Sequence, residues 1–317
     1  MKRNLLVIIG PTASGKTRLG VELARHLNGE IISADSRQVY RGMEIGSGKD
    51  LVEYGEIPYH LIDIVDPGYE FNVFQFQRRF LEADAAIRER GKLPILVGGT
   101  GLYLDSVLSG YQLTAVPENL LLRKELADQP LDLLVDRLRQ ANPRLHNSTD
   151  LLDRNRLLRA IEIAEFEKSA PPEPLPEFHT LIMGIRWERA QLRERITSRL
   201  RQRLGEGLIE EVERLHDEGI SWEQLDFYGL EYRYVARHLQ GELTKNDLFQ
   251  KLNSAIHDFA KRQDNWFRRM ERHGIVIHWL DGSDPLPEAL AVITIKNNSN
   301  TTESQISQRN NNLSDCY

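Results

Sequence analysis

Asn4-Leu5-Leu6-Val7-Ile8-Ile9-Gly10-Pro11-Thr12-Ala13-Ser14-Gly15-Lys16-Thr17 is the stretch whose reading decides the fold. Five apolar residues, Leu5 to Ile9, form a buried-strand run that leads straight into the pattern G-x-x-x-x-G-K-[ST]. Gly10, Gly15, Lys16 and Thr17 fill its constrained positions. Such a loop turns backbone N–H groups toward a di- or triphosphate, and the helix after it adds its positive end. Lys16 then reaches the outer phosphates, and the Thr17 hydroxyl is placed to ligand Mg²⁺. Val21, Leu23, Ala24 and Leu27 supply the apolar face of that helix. The strand before and the helix after weigh against a ligand-free glycine turn.

Working outward, residues 1–110 alternate apolar runs with helical periodicity, the mark of a parallel α/β sheet. Strands are expected at 4–9, 30–33, 59–65 and 94–97, and helices at 16–27, 72–90 and 100–108. Residues 111–178 carry helical patterns (120–127, 130–140, 153–166) and little strand signal, closing on the stiff Pro171–Pro176 run. A strand-like run, His179 to Arg186, resumes the core, and residues 188–272 are mostly helical before a last strand at 275–280. The expected architecture is α/β: a P-loop NTPase-like parallel-sheet core (1–110 and 179–290) with a helical insertion domain (111–178). Residues 297–317 are polar and nearly devoid of apolar side chains, and are expected to be a disordered tail.

Composition narrows the class. The 317 residues are 40% apolar and 28% charged, ordinary for a globular protein, and no run approaches a membrane span. The N-terminal apolar run is too short for a signal peptide. One cysteine, Cys316, excludes a disulfide framework and a Cys-rich zinc site, and fits a cytoplasmic setting. The net charge of −6 argues against nucleic acid on average, yet basic residues cluster. Seven arginines and two glutamates lie between Arg186 and Arg203, and five basic and two acidic residues between Lys261 and Arg272. Local patches of this kind bind phosphates on an acidic protein, although each could equally be a solvated helix face.

Open α/β sheets bind ligands at the carboxyl ends of their strands. Besides the phosphate loop, two such ends carry polar groups: Ser33-Ala34-Asp35-Ser36-Arg37-Gln38 and Gly98-Gly99-Thr100-Gly101. Asp35 is a candidate general base or a Mg²⁺ partner acting through water, and alternatively a helix N-cap. Thr100 is a candidate donor at the centre of the cleft, and alternatively the cap of the helix after Gly99.

The order of these segments resembles the bacterial tRNA dimethylallyltransferase (isopentenyltransferase) family. The resemblance rests on Gly10–Thr17, Ser33-Ala-Asp-Ser-Arg-Gln-Val-Tyr40, Gly42-Met-Glu-Ile-Gly46 and Pro58-Tyr-His-Leu-Ile-Asp-Ile64. It continues through Val97-Gly-Gly-Thr-Gly-Leu-Tyr103, Arg156-Leu-Leu-Arg-Ala160 and Lys261-Arg-Gln-x-x-Trp-Phe-Arg268, and covers roughly residues 3–281. It implies transfer of a five-carbon prenyl group from dimethylallyl diphosphate to the exocyclic amine of the adenine 3′ of a tRNA anticodon. The phosphate loop (Gly10, Pro11, Thr12, Ala13, Ser14, Gly15, Lys16, Thr17) would hold the diphosphate, a pattern shared with ATP-binding proteins. The resemblance assigns Asp35 to the adenine amine. It sets Lys16, Thr100, Arg199 and Mg²⁺, bound by Thr17, on the leaving diphosphate.

For tRNA contact the resemblance implies Asp35, Ser36, Arg37, Gln38, Thr100, Arg123, Asn155, Arg156, Arg159, Lys261, Arg262 and Gln263. Trp266 reads better as core than as a stacking surface. A monomer without membrane contact is expected. The sequence departs from the family pattern in places. Gly46-Ser-Gly-Lys49-Asp50 stands where G-T-A-K-P is common, and Glu231-Tyr232 where a Gly-Tyr pair is common. Extra residues run from Asn147 to Asp153, and the zinc-finger extension of some eukaryotic relatives is absent. A P-loop kinase, an enzyme prenylating free AMP or ADP, and a non-catalytic tRNA-binding protein are the competing readings. The motifs after the phosphate loop disfavour the first, and the helical insertion with Lys261–Arg268 disfavours the second. Intact Lys16, Thr17, Asp35 and Thr100 disfavour the third.

Overall fold

The computed structural model describes residues 3–111, 113–114, 116–142, 153–167 and 175–296. Cys316, the expected tail at 297–317, and most of both the extra residues at 147–153 and the Pro171–Pro176 run lie outside them. Six strands form one sheet in the order β3-β2-β4-β1-β5-β6. They are β1 (Arg3–Ile9), β2 (Gly29–Ala34), β3 (Tyr59–His60), β4 (Leu93–Gly98), β5 (Phe178–Arg186) and β6 (His278–Asp281). Every pairing is parallel. Parallel strands need covered faces, and the buried pattern along β2 and β4 shows both faces packed.

Helices α1 (Lys16–Leu27), α2 (Val73–Glu89) and α3 (Gly101–Leu108) make the crossovers. The start of α2 is fixed by a capping box between Asn72 and Gln75, which satisfies two otherwise orphan N–H groups. Leu6, Ile8, Leu19, Leu23, Ile31 and Ile95 pack one face of the sheet, and Leu5, Val7, Ile9, Phe76, Phe80 and Leu96 the other.

β3 is shorter than the sequence predicts. Leu61 and Asp63 adopt φ of 64° and 55°, left-handed values that end a strand. Asp63 then turns its carboxylate to the buried ammonium of Lys49, which also donates to the Tyr40 carbonyl at 2.7 Å. A closing helix over 285–296 was not expected from the sequence.

The chain divides into two compact units, Met1–Leu108 with Glu177–Tyr317, and Ser109–Pro176. The second is helical: α4 (Leu120–Leu126), α5 (Leu131–Ala141) and α6 (Arg154–Glu167) bury Leu122, Leu126, Leu134, Leu138, Leu157 and Ile161 together. In the first unit α7 (Arg189–Gly205), α8 (Leu208–Asp217), α9 (Trp222–Phe227), α10 (Leu230–Leu239) and α11 (Lys245–Arg272) follow β5, ahead of β6 and the closing helix.

One acid ties the edge of the sheet together. Glu30, buried at the start of β2, accepts from Arg90 at 2.6 Å and bonds His60 of β3 at 2.8 Å. The Arg90 guanidinium, opposed by burial and helped by His60, holds the Glu30 carboxyl at about 2. A carboxyl depressed from 4.5 adds stability that is present above that value and is lost as pH falls toward 2. Glu30→Gln is expected to remove on the order of 2–3 kcal/mol at neutral pH and to flatten the acid limb of the stability curve. Denaturant melts at pH 7 and pH 3 check this, and an equal loss at both would contradict it.

Candidate active site

The phosphate loop is built by backbone conformation. Gly15, the N-cap of α1, sits at φ 90°, where a side chain is strained, and Ala13 at φ 61°. Alternating backbone conformations of this sort form a concave nest of N–H groups. The outer side of the loop is held by neighbours. Trp187 Nε1 donates to the Ser14 carbonyl at 2.9 Å, and Arg195 Nε donates to the Ala13 carbonyl at 2.9 Å. The Arg195 guanidinium stacks 4.2 Å from the centre of the Trp187 ring. With these carbonyls engaged, the loop is kept open for an anion. The Ser14 hydroxyl is buried without a hydrogen-bond partner, in keeping with a donor waiting for an oxygen. Sequence reasoning did not single out Trp187 or Arg195 for this task; nothing in their spacing reveals a partner so distant in the chain.

Lys16, Thr17, Arg199 and Arg203 line a cleft of about 890 Å³ in front of the loop. Burial lowers the Lys16 ammonium from 10.5 to about 8; Asp35 raises it, while Arg199 and Arg203 lower it further. Arg199 Nη2 is paired with the Asp50 carboxylate and lies 3.5 Å from the Gly48 carbonyl. Arg203, one helical turn on, faces Glu231 at 3.6 Å. Asp50 and Glu231 are two of the positions at which the sequence departs from the family pattern, and both serve here as partners of cleft arginines.

Asp35 follows β2 and Thr100 follows β4, and the pairing of those strands brings the two ends together. The Asp35 Oδ1 accepts the Arg37 N–H at 2.9 Å, so the side chain caps a turn, and no helix starts there. Thr100 Oγ1 accepts the Ser36 N–H at 3.0 Å, joining two loops across the sheet, although its backbone carbonyl also opens α3. Asp35 remains partly exposed and within electrostatic range of Lys16.

The remaining sequence candidates differ in burial and in partners. Gln38 is buried, with Ser33 donating to its Oε1 at 2.8 Å and its amide donating to the Gly48 carbonyl at 3.1 Å. Gln263 is likewise buried: it accepts the Thr12 N–H at 2.8 Å and donates to the Gly99 carbonyl at 2.9 Å. Both amides are thus occupied with positioning loops. On the opposite side of α11, Lys261 and Arg262 are exposed, Arg262 lying 5.8 Å from the Phe259 ring centre. Trp266 packs against the core and over Gly101. Arg37 is stacked 5.4 Å from the centre of the exposed Phe227 ring.

In the helical unit Asn155 and Arg156 are exposed. Arg123 and Arg159 instead converge on the buried Glu162, at 2.7 and 3.0 Å. Burial alone would raise the Glu162 carboxyl, but these two guanidiniums and the Asn119 N–H hold it below its usual value.

Among the described residues no three His, Cys, Asp or Glu side chains gather to hold a metal by themselves. Likewise, no described helix is long and apolar enough to cross a membrane.

Comparison with known proteins follows the same lines. The family model for IPP transferase matches residues 38–270, and one for isopentenyl transferase matches residues 3–55. tRNA dimethylallyltransferase 1 of Geotalea daltonii is 69% identical over 301 residues, 94% of this chain and 97% of its own. tRNA dimethylallyltransferase 2 of Syntrophotalea carbinolica is 64% identical over 295 residues, 92% of this chain and 99% of its own. The crystal structure of the full-length tRNA isopentenylpyrophosphate transferase of Bacillus halodurans superposes with a TM-score of 0.71 at 32% identity, covering 97% of this chain and all of that one. A eukaryotic dimethylallyltransferase acting on tRNA shares the fold, with a TM-score of 0.78 at 23% identity over 94% of this chain and 80% of that one. A phosphate loop facing an acid-bearing strand end, matched over most of the sequence, places the chain in the IPP transferase family, and it belongs to that family.

Proposed function

We propose that this chain transfers the dimethylallyl group of dimethylallyl diphosphate to the N6 amine of the adenosine that follows the anticodon in tRNA, releasing diphosphate. The observation that supports the reading is that Asp35, at a strand end paired with the one before Thr100, lies within electrostatic range of Lys16, which lines the cleft with Arg199. In the reaction the allylic C–O bond breaks and an N–C bond forms. The electron pair of the broken bond stays with diphosphate, and the amine proton passes to Asp35. An aromatic exocyclic amine is a weak nucleophile, so holding its lone pair at the allylic carbon contributes most. Asp35 has one carboxylate oxygen committed to the Arg37 N–H, which fixes the aim of the other.

Charge grows on diphosphate as it leaves. Lys16 and the loop N–H groups face the developing charge, and Arg199 joins them once diphosphate displaces its Asp50 partner. Thr17, at the start of α1, would hold a Mg²⁺ at the loop. When bound, that ion would add charge neutralisation at the leaving group.

The acceptor base sits in a stacked anticodon loop and must turn out to reach the acid. Lys261 and Arg262, exposed on α11, together with Asn155 and Arg156 on the helical unit, are the proposed phosphate and base contacts. Incubation with tRNA and dimethylallyl diphosphate, followed by mass spectrometry of the nucleosides, tests the activity. A five-carbon increment on adenosine is expected; phosphorylation of a small acceptor by ATP instead would favour a kinase.

The lysine adds a pH signature. A cation with a free-state value near 8 must be protonated to hold an anion, so binding above that pH requires proton uptake. Pyrophosphate affinity of the wild type is expected to fall by about fivefold from pH 8 to 9. Lys16→Arg, which stays charged, should lack that fall. Identical pH profiles for the two proteins would remove Lys16 from the anion site.

A further inference from the structure

The cleft contains a cation that the reading above does not use. Arg203 lies four residues after Arg199 on α7, so the two side chains leave the same face of the helix. Arg203 is buried to 8% exposure, yet it lines the cleft with Lys16, Thr17 and Arg199. Both guanidiniums crowd the backbone at Gly48. A Cβ added there would collide with the Arg203 Nη2 and come within 2.9 Å of the Arg199 Nη2. The φ of 68° at Gly48 also disfavours any side chain. The bare backbone is therefore what lets the two arginines converge.

Two buried or half-buried cations in one cleft repel each other, and removing them from water costs more still. Burial, and then Arg199, push the Arg203 guanidinium below its usual range. Each cation has a carboxylate partner from another element: Asp50 for Arg199 and Glu231 for Arg203. Burial raises the Glu231 carboxyl, opposed by Arg203. The Arg203–Glu231 approach of 3.6 Å is longer than a hydrogen bond, so Glu231 stations the guanidinium without saturating its five donors.

We propose that Arg203 is a second guanidinium ligand of the diphosphate, stationed by Glu231 and admitted by Gly48, so that this enzyme grips its leaving group with a two-arginine clamp. The inference rests on reading this cleft as the diphosphate seat. Glu231 is a positioning residue: it acts on the anion through Arg203. The chemistry recognised is a pair of adjacent phosphates, whose oxygens suit two planar forks better than point charges.

Calorimetric titration of the full chain with inorganic pyrophosphate and Mg²⁺ tests it, alongside steady-state kinetics. Arg203→Met leaves Glu231 buried without its cation and should cost stability, so the informative protein is the double variant Arg203→Met/Glu231→Gln, which removes both charges. Its pyrophosphate dissociation constant and its KM for dimethylallyl diphosphate are expected to rise about tenfold or more, while KM for tRNA stays within about twofold. Arg203→Lys keeps a cation for Glu231 but loses the fork; it should fold and still bind pyrophosphate several-fold more weakly, and it serves where the double variant does not fold. Wild-type pyrophosphate affinity in a folded double variant, or in Arg203→Lys, overturns the proposal alone. Absence of pyrophosphate binding by the wild type overturns the cleft reading together with it.

Discussion

Asp35→Asn is expected to lower turnover by about a thousandfold while tRNA affinity stays within a few-fold, the loss typical of removing a positioned general base. Asparagine is the sharper test because Asp35 has a second task. Its Oδ1 accepts the Arg37 N–H, and the amide oxygen of Asn can keep that turn while losing the ability to take a proton. Asp35→Ala should abolish transfer too, but it also frees the Arg37 N–H and disturbs the segment that carries Ser36 and Arg37. Single-turnover transfer assays paired with tRNA binding by anisotropy separate the two effects. Unchanged turnover in the Asn variant, or its failure to fold, would strip Asp35 of the assigned role. Because the Asp35 carboxylate raises the Lys16 ammonium, the Asn variant holds that lysine lower, and the two proteins are compared across a range of pH.

Arg199→Ala should reduce turnover by on the order of a hundredfold or more, comparable to deleting one donor of an oxyanion hole. Arg199 is paired with Asp50 in the ligand-free protein. The guanidinium is therefore presented at the cleft by an acid, and diphosphate competes for it. Asp50 is about half exposed, so this pairing is weak and yields readily to a multiply charged anion. The effect should fall on kcat more than on the KM for tRNA, since negative charge at the leaving oxygen grows in the transition state. A wild-type rate would reduce Arg199 to one more arginine on a basic helix.

Much of the framework was legible because each element is locally consistent. The strand before Gly10, the helix from Lys16 and the β4 run ending at Gly98 lie within a residue or two of where periodicity and turn residues put them. The failures have physical causes. The segment 59–65 has the apolar content of a strand, but Leu61 and Asp63 take left-handed φ so that Asp63 can reach Lys49, a partner 14 residues away.

At the site, residue type made Lys16, Asp35 and Thr100 candidates but gave no sign of the partners that hold them. The sequence places Gln263 in a basic helical segment. The periodicity of α11 turns it inward between Phe267 and Ala260, and burial then obliges its amide to find backbone partners. The resemblance implies tRNA contact for Arg123 and Arg159, and the buried Glu162 that gathers both of them is invisible until the helices pack. Arg203 shared the anonymity of six other arginines nearby.

The Gln263 amide touches the loop after β1 with its oxygen and the loop after β4 with its nitrogen. It thus works as a caliper, setting the gap between the phosphate loop and the loop that carries Thr100. A gap gauged by one rigid side chain does not wait for either substrate to define it.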